Sequence, residues 1–340
     1  MTNTGKIIVL AYPDTFVTMS DEWICKLLPL VGLGTQKYIK AGHAAQVLIQ
    51  NATGKAYYYD FGRYGTPKGY GRVRSNVTDA ELEIPITAQF DDQGYLLNLQ
   101  AFLLWLEAHP LKTRGKGRLI ASLCECIDFD KAVHYIKGLQ QRGSIPYGAF
   151  NKNGSNCSRF VADTLLAASS DKKIHKALLF NKLFTPSTVG NVEKAAGCQG
   201  IFEVENEVVT SYTGSAFKEN ITNYFHRKKK DDSTYEAMHS PERDIHTLES
   251  IGSTTHFEFL KEELPLFHYR IKRFNEKHTL DFDGVYYSEA FNEKLPFRIS
   301  HDSHCGHCHI LQDDQIIKLV CIASYASFSK IQKGIAARIA

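Results

Sequence analysis

The stretch Gly154-Ser155-Asn156-Cys157-Ser158-Arg159-Phe160-Val161-Ala162-Asp163 decides how the first half of this 340-residue chain reads. Ser155 or Asn156 can cap a helix, because either side chain can accept from the open N–H groups of a first turn. Cys157 then falls in that first turn. The N–H groups there have no intrahelical acceptor, and the positive end of the helix dipole favours an anion. A thiol in such a place is acidified and holds more thiolate at neutral pH. Phe160, Val161, Thr164, Leu165 and Ala168 follow at helical spacing. The sulfur is therefore expected on the inward stripe, facing the body of the domain.

A reactive thiolate needs a base. Among the earlier histidines, His109 precedes Pro110 at a helix end, and His134 and His175 lie in helical patterns. His43 differs, because it opens a strand directly after Gly42. The segment from His43 to Gln50 and the Tyr-rich segment from Ala56 to Phe61 flank Asn51-Ala52-Thr53-Gly54, which is turn chemistry, and the pair reads as a β-hairpin. If Gln50 faces Lys55, pairing runs back to Ala45 opposite Asp60. Asp60 then projects on the face of His43, one diagonal away, with Tyr58 two residues further along. Asp60 is the expected orienting partner of His43.

These features together resemble the circularly permuted papain-like enzymes, among them the permuted NlpC-type hydrolases and the lecithin retinol acyltransferase group. In those families a strand beginning with His, and a hairpin partner carrying a polar residue, precede an Asn-Cys-x-x-Phe-Val helix. This chain has that order: His43, Asp60, Cys157. Ser144-Ile145-Pro146-Tyr147 also matches the family habit of a Tyr shortly before the Asn-Cys motif. The resemblance covers about residues 1 to 190. It implies an α+β, permuted papain-like domain, an antiparallel sheet packed on helices, and acyl chemistry at a thiol.

Composition agrees with a folded chain. Hydrophobic residues are 43% and charged residues 23%, with a net charge of +3, too balanced to mark a nucleic-acid binder. No apolar run approaches the ~18 residues that span a bilayer. The run Ile7 to Ala11 is too short for a secretory h-region, so it reads as a buried first strand in a cytoplasmic protein with reduced cysteines. Ser20-Asp21-Glu22, with Trp23, Leu27, Leu28 and Val31, reads as a helix. So do Leu96, Leu99, Phe102, Leu103 and Leu106, and then Phe129, Ala132, Val133, Ile136 and Leu139; Leu119 to Ile127 is a strand.

The expected division is a catalytic domain over 1–200, a linker or surface excursion over 201–255 that includes the charge run from His226 to Asp232, and a small β-rich domain over 256–340. Gly62 to Arg74 reads as a Gly/Arg/Tyr-rich loop at the edge of a cleft. His301 to His309 holds one Cys-x-x-Cys pair, Cys305 and Cys308, among histidines. A structural zinc site shows two separated pairs; His301 or His309 could complete a set locally, but the favoured reading is a polar connection, and no metal or other cofactor is expected. The catalytic residues expected are Cys157, His43 and Asp60. Tyr58, Arg63, Tyr64, Tyr147 and Asn156 are expected to bind a small-molecule or peptide substrate. Amide or peptide hydrolysis through a thioester is the leading activity. An acyltransferase using the same residues, or a non-catalytic interaction protein on the same scaffold, are the alternatives.

Overall fold

The structure, a computed structural model, describes residues 3–19, 27–32, 34–35, 37–148, 151–182, 186–226, 245–251 and 253–339. It is a mixed α+β chain with two compact units. One holds the described residues within 1–62, 69–75 and 82–229, the other those within 63–68, 76–81 and 230–340. The expected helix around Ser20 to Trp23 lies outside the described residues, and Leu28–Val31 is a 3-10 turn.

The first unit is built on an eight-stranded sheet. Its spatial order is Val208–Ser211, Ile201–Glu205, Leu119–Ile127, Gly5–Tyr12, His43–Gln50, Ala56–Gly62, Tyr70–Arg74 and Ile145–Pro146. Neighbouring strands in it pair antiparallel. The central strand Gly5–Tyr12 is buried along its whole length. Its odd-numbered residues Ile7, Val9 and Ala11 face one core with Phe160, Val161 and Leu165; Ile8, Leu10 and Tyr12 face another with Phe102, Leu103 and Leu106. A strand covered on both faces has no polar side to present, which is why it reads as a continuous apolar run rather than an alternation.

The helices start where capping residues allow. Asp128 accepts from Lys131 N–H and opens Phe129–Gln141; Asn156 accepts from Arg159 N–H and opens Cys157–Ala168. The hairpin pairs Ala45 with Asp60 and Gln50 N–H with Lys55 O, the register that its turn length predicts. Gly54 closes that turn at φ +69°, and a Cβ there would stand 2.6 Å from Ala88 O.

Three expectations are corrected. Ile201–Glu205 and Val208–Ser211 extend the large sheet, and the Ser215-capped helix Ala216–Tyr224 belongs to the same unit, so this segment is not a linker. Its strands are short and mostly polar outward, which hid them. The charge run beyond His226 lies outside the described residues. Tyr70–Arg74, expected as loop, is a strand pairing Arg74 with Asp60. The stretch around His301 is likewise regular: Arg298–His304 and His307–Gln312 form a hairpin, not a polar connection.

The second unit has a seven-stranded antiparallel sheet, ordered Ile245–Ser250, Ser253–Leu260, His268–Phe274, Leu280–Tyr287, Gln315–Ser324, His307–Gln312 and Arg298–His304. It thus begins before residue 256. Phe257, Ile271, Tyr286, Phe291, Ile310 and Leu319 form its core. Residues 63–68 and 76–81 are part of this unit. Asp79 and Glu81 hold the buried Arg273 guanidinium at 2.9 and 3.4 Å, and Arg273 also lies 3.2 Å from Cys305 Sγ. Cys305 and Cys308 are both buried. Among the described residues, no three His, Cys, Asp or Glu side chains are arranged to hold a metal ion. Elemental analysis of the purified protein is expected to find no stoichiometric zinc. About one zinc per chain, lost in a Cys305→Ser/Cys308→Ser double variant, contradicts this. No described helix is long and apolar enough to cross a membrane.

Candidate active site

Cys157 is the first residue of its helix, with Asn156 as N-cap. His43 is the first residue of its strand. Gly42 sets up that start. Its φ is +75°, and a Cβ there would meet Thr188 Oγ1 at 2.9 Å and Tyr12 O at 3.1 Å. Gly42→Ala therefore combines a left-handed backbone with a clash, and is expected to cost on the order of 1–3 kcal/mol in chemical denaturation. A change below ~0.5 kcal/mol contradicts this reading of Gly42.

The three groups converge in a buried place: Cys157 is 7% exposed, His43 6% and Asp60 0%. His43 Nε2 lies 3.3 Å from Asp60 Oδ2. The Cys157 thiol faces the same imidazole, close enough that each group shifts the other's protonation. With Nε2 on Asp60, Nδ1 is the nitrogen left for the sulfur. The backbone at Ala44 and Ser158 also favours a negative sulfur.

Electrostatics follow from this arrangement. Burial alone would lower the His43 pKa, but its hydrogen bonds to Asp60 and Cys157 outweigh that and raise it to about 9. Burial raises the Cys157 thiol, yet His43 beside it, the imidazolium charge and the nearby backbone of Ala44 and Ser158 bring it below the ordinary thiol value. Asp60 is fully buried, which raises its pKa, but Arg74 and His43 hold it down to about 2. Opposite shifts on adjacent groups favour the thiolate–imidazolium pair. The pair persists between the lowered Cys157 value and the raised His43 value.

Arg74, read from the sequence only as part of the loop Gly62 to Arg74, is a partner of Asp60 that the sequence reading does not reach. Its Nε and Nη2 donate to Asp60 Oδ1 and Oδ2 at 3.0 and 2.6 Å, a two-pronged bond, and Nη2 also donates to Lys112 O at 3.0 Å. A signal exists: once Gly62 to Arg74 is read as strand–turn–strand, Arg74 falls opposite Asp60.

The expected substrate-binding residues make the following contacts within the protein. Tyr58 is 1% exposed, with its hydroxyl 3.1 Å from both Asp60 Oδ2 and Thr113 O. Its hydroxyl supports the Asp60 carboxylate. The Asn156 side-chain oxygen accepts from Arg159 N–H at 2.8 Å, as a cap. Tyr147 stacks its ring on Phe61 at 5.9 Å. Arg63 and Tyr64 belong to the second unit, where Arg63 O accepts from Ser250 Oγ and Tyr64 is buried.

Comparison with known proteins adds the following. Residues 7–174 match the family model described as type VI secretion system effector TseH-like. Residues 245–322 match the DUF6695 C-terminal domain. No curated protein shows significant similarity to the chain. Among solved structures, the crystal structure of the type VI secretion system effector TseH aligns at 19% identity and a TM-score of 0.41, over 62% of this chain and 98% of that one. Residues 7–174 are thus similar to the TseH-like type VI secretion effectors, and residues 245–322 to the DUF6695 C-terminal domain.

Proposed function

We propose that the first unit is a permuted papain-like thiol hydrolase that cleaves an amide or peptide bond through a thioester on Cys157. The observation that carries this is the buried relay Cys157–His43–Asp60–Arg74, whose members shift each other's charge states in the directions such chemistry needs. The Cys157 thiolate attacks the carbonyl carbon. The oxyanion forms at the helix start, where the Cys157 N–H has no intrahelical acceptor and can donate to it. His43, already protonated, gives its proton to the leaving nitrogen as the C–N bond breaks, leaving a thioester and a neutral imidazole. His43 then takes a proton from water as the water adds. The thioester C–S bond breaks, the acid leaves and the thiolate–imidazolium pair returns. Asp60 holds the imidazole and offsets its charge; Arg74 holds Asp60. No cofactor enters this cycle. The match to a family of type VI secretion effectors supports a hydrolase-type effector, made in the cytoplasm with its thiols reduced and then exported.

The test uses p-nitrophenyl acetate as a generic acyl donor. Acid quenching followed by peptide mass spectrometry is expected to find one acetyl group on the Cys157 peptide, and none in Cys157→Ala. An acetyl group absent from Cys157, or spread equally over the other thiols, overturns the proposal.

The role of Asp60 is separately measurable. Asp60→Asn keeps the shape and removes the charge, so the His43 pKa falls and the Cys157 pKa rises. A change of ~1.4 kcal/mol is about tenfold in thiolate fraction, and alkylation at pH 6.5 slows accordingly. Tyr58→Phe removes one neutral hydrogen bond and shifts the profile less. The reverse order, with Asp60→Asn silent and Tyr58→Phe strong, removes Asp60 from the relay.

A further inference from the structure

A second pair of thiols, Cys124 and Cys126, lies in the first unit and has no part in the function proposed above. The strand Leu119–Ile127 pairs with Gly5–Tyr12, but its register shifts by one residue: Ile7 faces Cys124 while Gly5 faces Ile127. Three steps on one strand thus match two on the other. This is a β-bulge, and bulges re-aim side chains. Here Cys124 Sγ and Cys126 Sγ lie 3.7 Å apart. Cys124 is buried, whereas Cys126 is half-buried and lines a surface cavity of about 370 Å³ with Asp171, Ile174, Glu193 and Gly197. Cys126 Sγ is also 3.4 Å from Ser169 Oγ. The outer sulfur of the pair therefore has an approach path, and the buried one has none of its own.

We propose that Cys124 and Cys126 form a reversible redox pair in which Cys126 reacts first with a peroxide and Cys124 resolves it. The Cys126 thiolate attacks one peroxide oxygen. The O–O bond breaks, the departing hydroxide takes up a proton to become water, and sulfur loses two electrons to become a sulfenic acid. Cys124 sulfur then attacks Cys126 sulfur. The S–O bond breaks, the hydroxyl leaves as water with the Cys124 proton, and an S–S bond forms. The sum is two thiols and one peroxide giving one disulfide and two waters.

The division of labour has a physical cause. Hydrogen bonds from the Cys124 thiol and from Ser169 bring the Cys126 pKa to about 6, against the opposing effect of burial, while the Cys124 thiol that donates is pushed well up. Residues i and i+2 of a regular strand are ~6.6 Å apart at Cα, inside the range a disulfide spans.

The experiment treats the full chain with hydrogen peroxide, blocks remaining thiols with N-ethylmaleimide, and maps each cysteine by mass spectrometry. The expected result is a peptide carrying Cys124 and Cys126 that is unlabelled and two hydrogens lighter, regains both labels after dithiothreitol, and appears while Cys198 and Cys321 are still labelled. In Cys124→Ser, and in Cys124→Ala as a second variant at this buried position, the disulfide is absent and Cys126 is tagged by dimedone at least about threefold more than Cys198. Overturning results are both thiols still labelled when Cys198 or Cys321 is oxidised, a wild-type sulfenic acid on Cys126 with Cys124 labelled, or no excess dimedone tagging of Cys126 in the variants.

Discussion

In His43→Ala, iodoacetamide alkylation of Cys157 at pH 6.5 is expected to fall by at least about tenfold, and hydrolysis of an acetyl group placed on Cys157 to slow by ~10²–10⁴. Two steps lose the same side chain for different reasons. The thiol loses the bond and charge that offset its burial, so its pKa climbs and the thiolate fraction at pH 6.5 collapses. The thioester loses the group that would take a proton from water. His43→Gln serves as a control for packing, because it restores polar bulk beside Asp60 without a titratable nitrogen. It should share both defects. If His43→Gln alkylates and deacylates like the wild type, the imidazole is not the base.

The second large effect is structural. Arg74→Met is expected to destabilise the first unit by ~3–5 kcal/mol in chemical denaturation, because it leaves the Asp60 carboxylate buried without its strongest partner. Asp60 then gives up its charge more readily, and its pKa rises from about 2. The sign is plain. A carboxylate held below its unfolded value stabilises the fold above that value and loses the contribution as pH falls towards about 2. In Arg74→Met this loss begins at higher pH, so acid unfolding moves upward. Arg74→Met combined with Asp60→Asn removes both charges and is expected to recover part of the stability, though not the thiol acidity. A double variant no more stable than Arg74→Met alone contradicts the account of the pair.

The order His43, Asp60, Cys157 is legible in the sequence because each rests on a local rule: a strand after a positive-φ glycine, a hairpin whose turn sets the register, and a cap before a helix. Arg74 is not legible. Its role depends on a pairing across Gly62 to Tyr70, and the Gly, Pro and Tyr content of that stretch reads as loop when the partner strand is unseen. The structural roles of the expected substrate-binding residues are hidden for a related reason. Proximity in sequence to the thiol places Asn156 and Tyr147 near it, but the backbone uses the one as a cap and the hydrophobic core takes up the ring of the other. Tyr58 lies on the expected face, yet nothing in a single strand shows that this face is covered by Leu99–Ala108 and its neighbours. The strand His307–Gln312 escapes a reading by composition because its histidines alternate with Cys308 and Ile310, so an apolar inward face hides behind a polar surface.

Because Cys126 is a second acidified thiol, a bulk thiol assay mixes two sites, and the direct test of the thiolate–imidazolium pair must resolve them. The measurement is the alkylation rate of Cys157 alone, followed by peptide mass spectrometry with iodoacetamide from about pH 4 to 10. The account predicts a rise whose midpoint lies below the ordinary thiol value of ~8.5, a plateau through neutral pH, and a second change near 9 as His43 loses its proton. A single transition at or above ~8.5, with Cys157 no faster at pH 6.5 than the exposed Cys198, contradicts it.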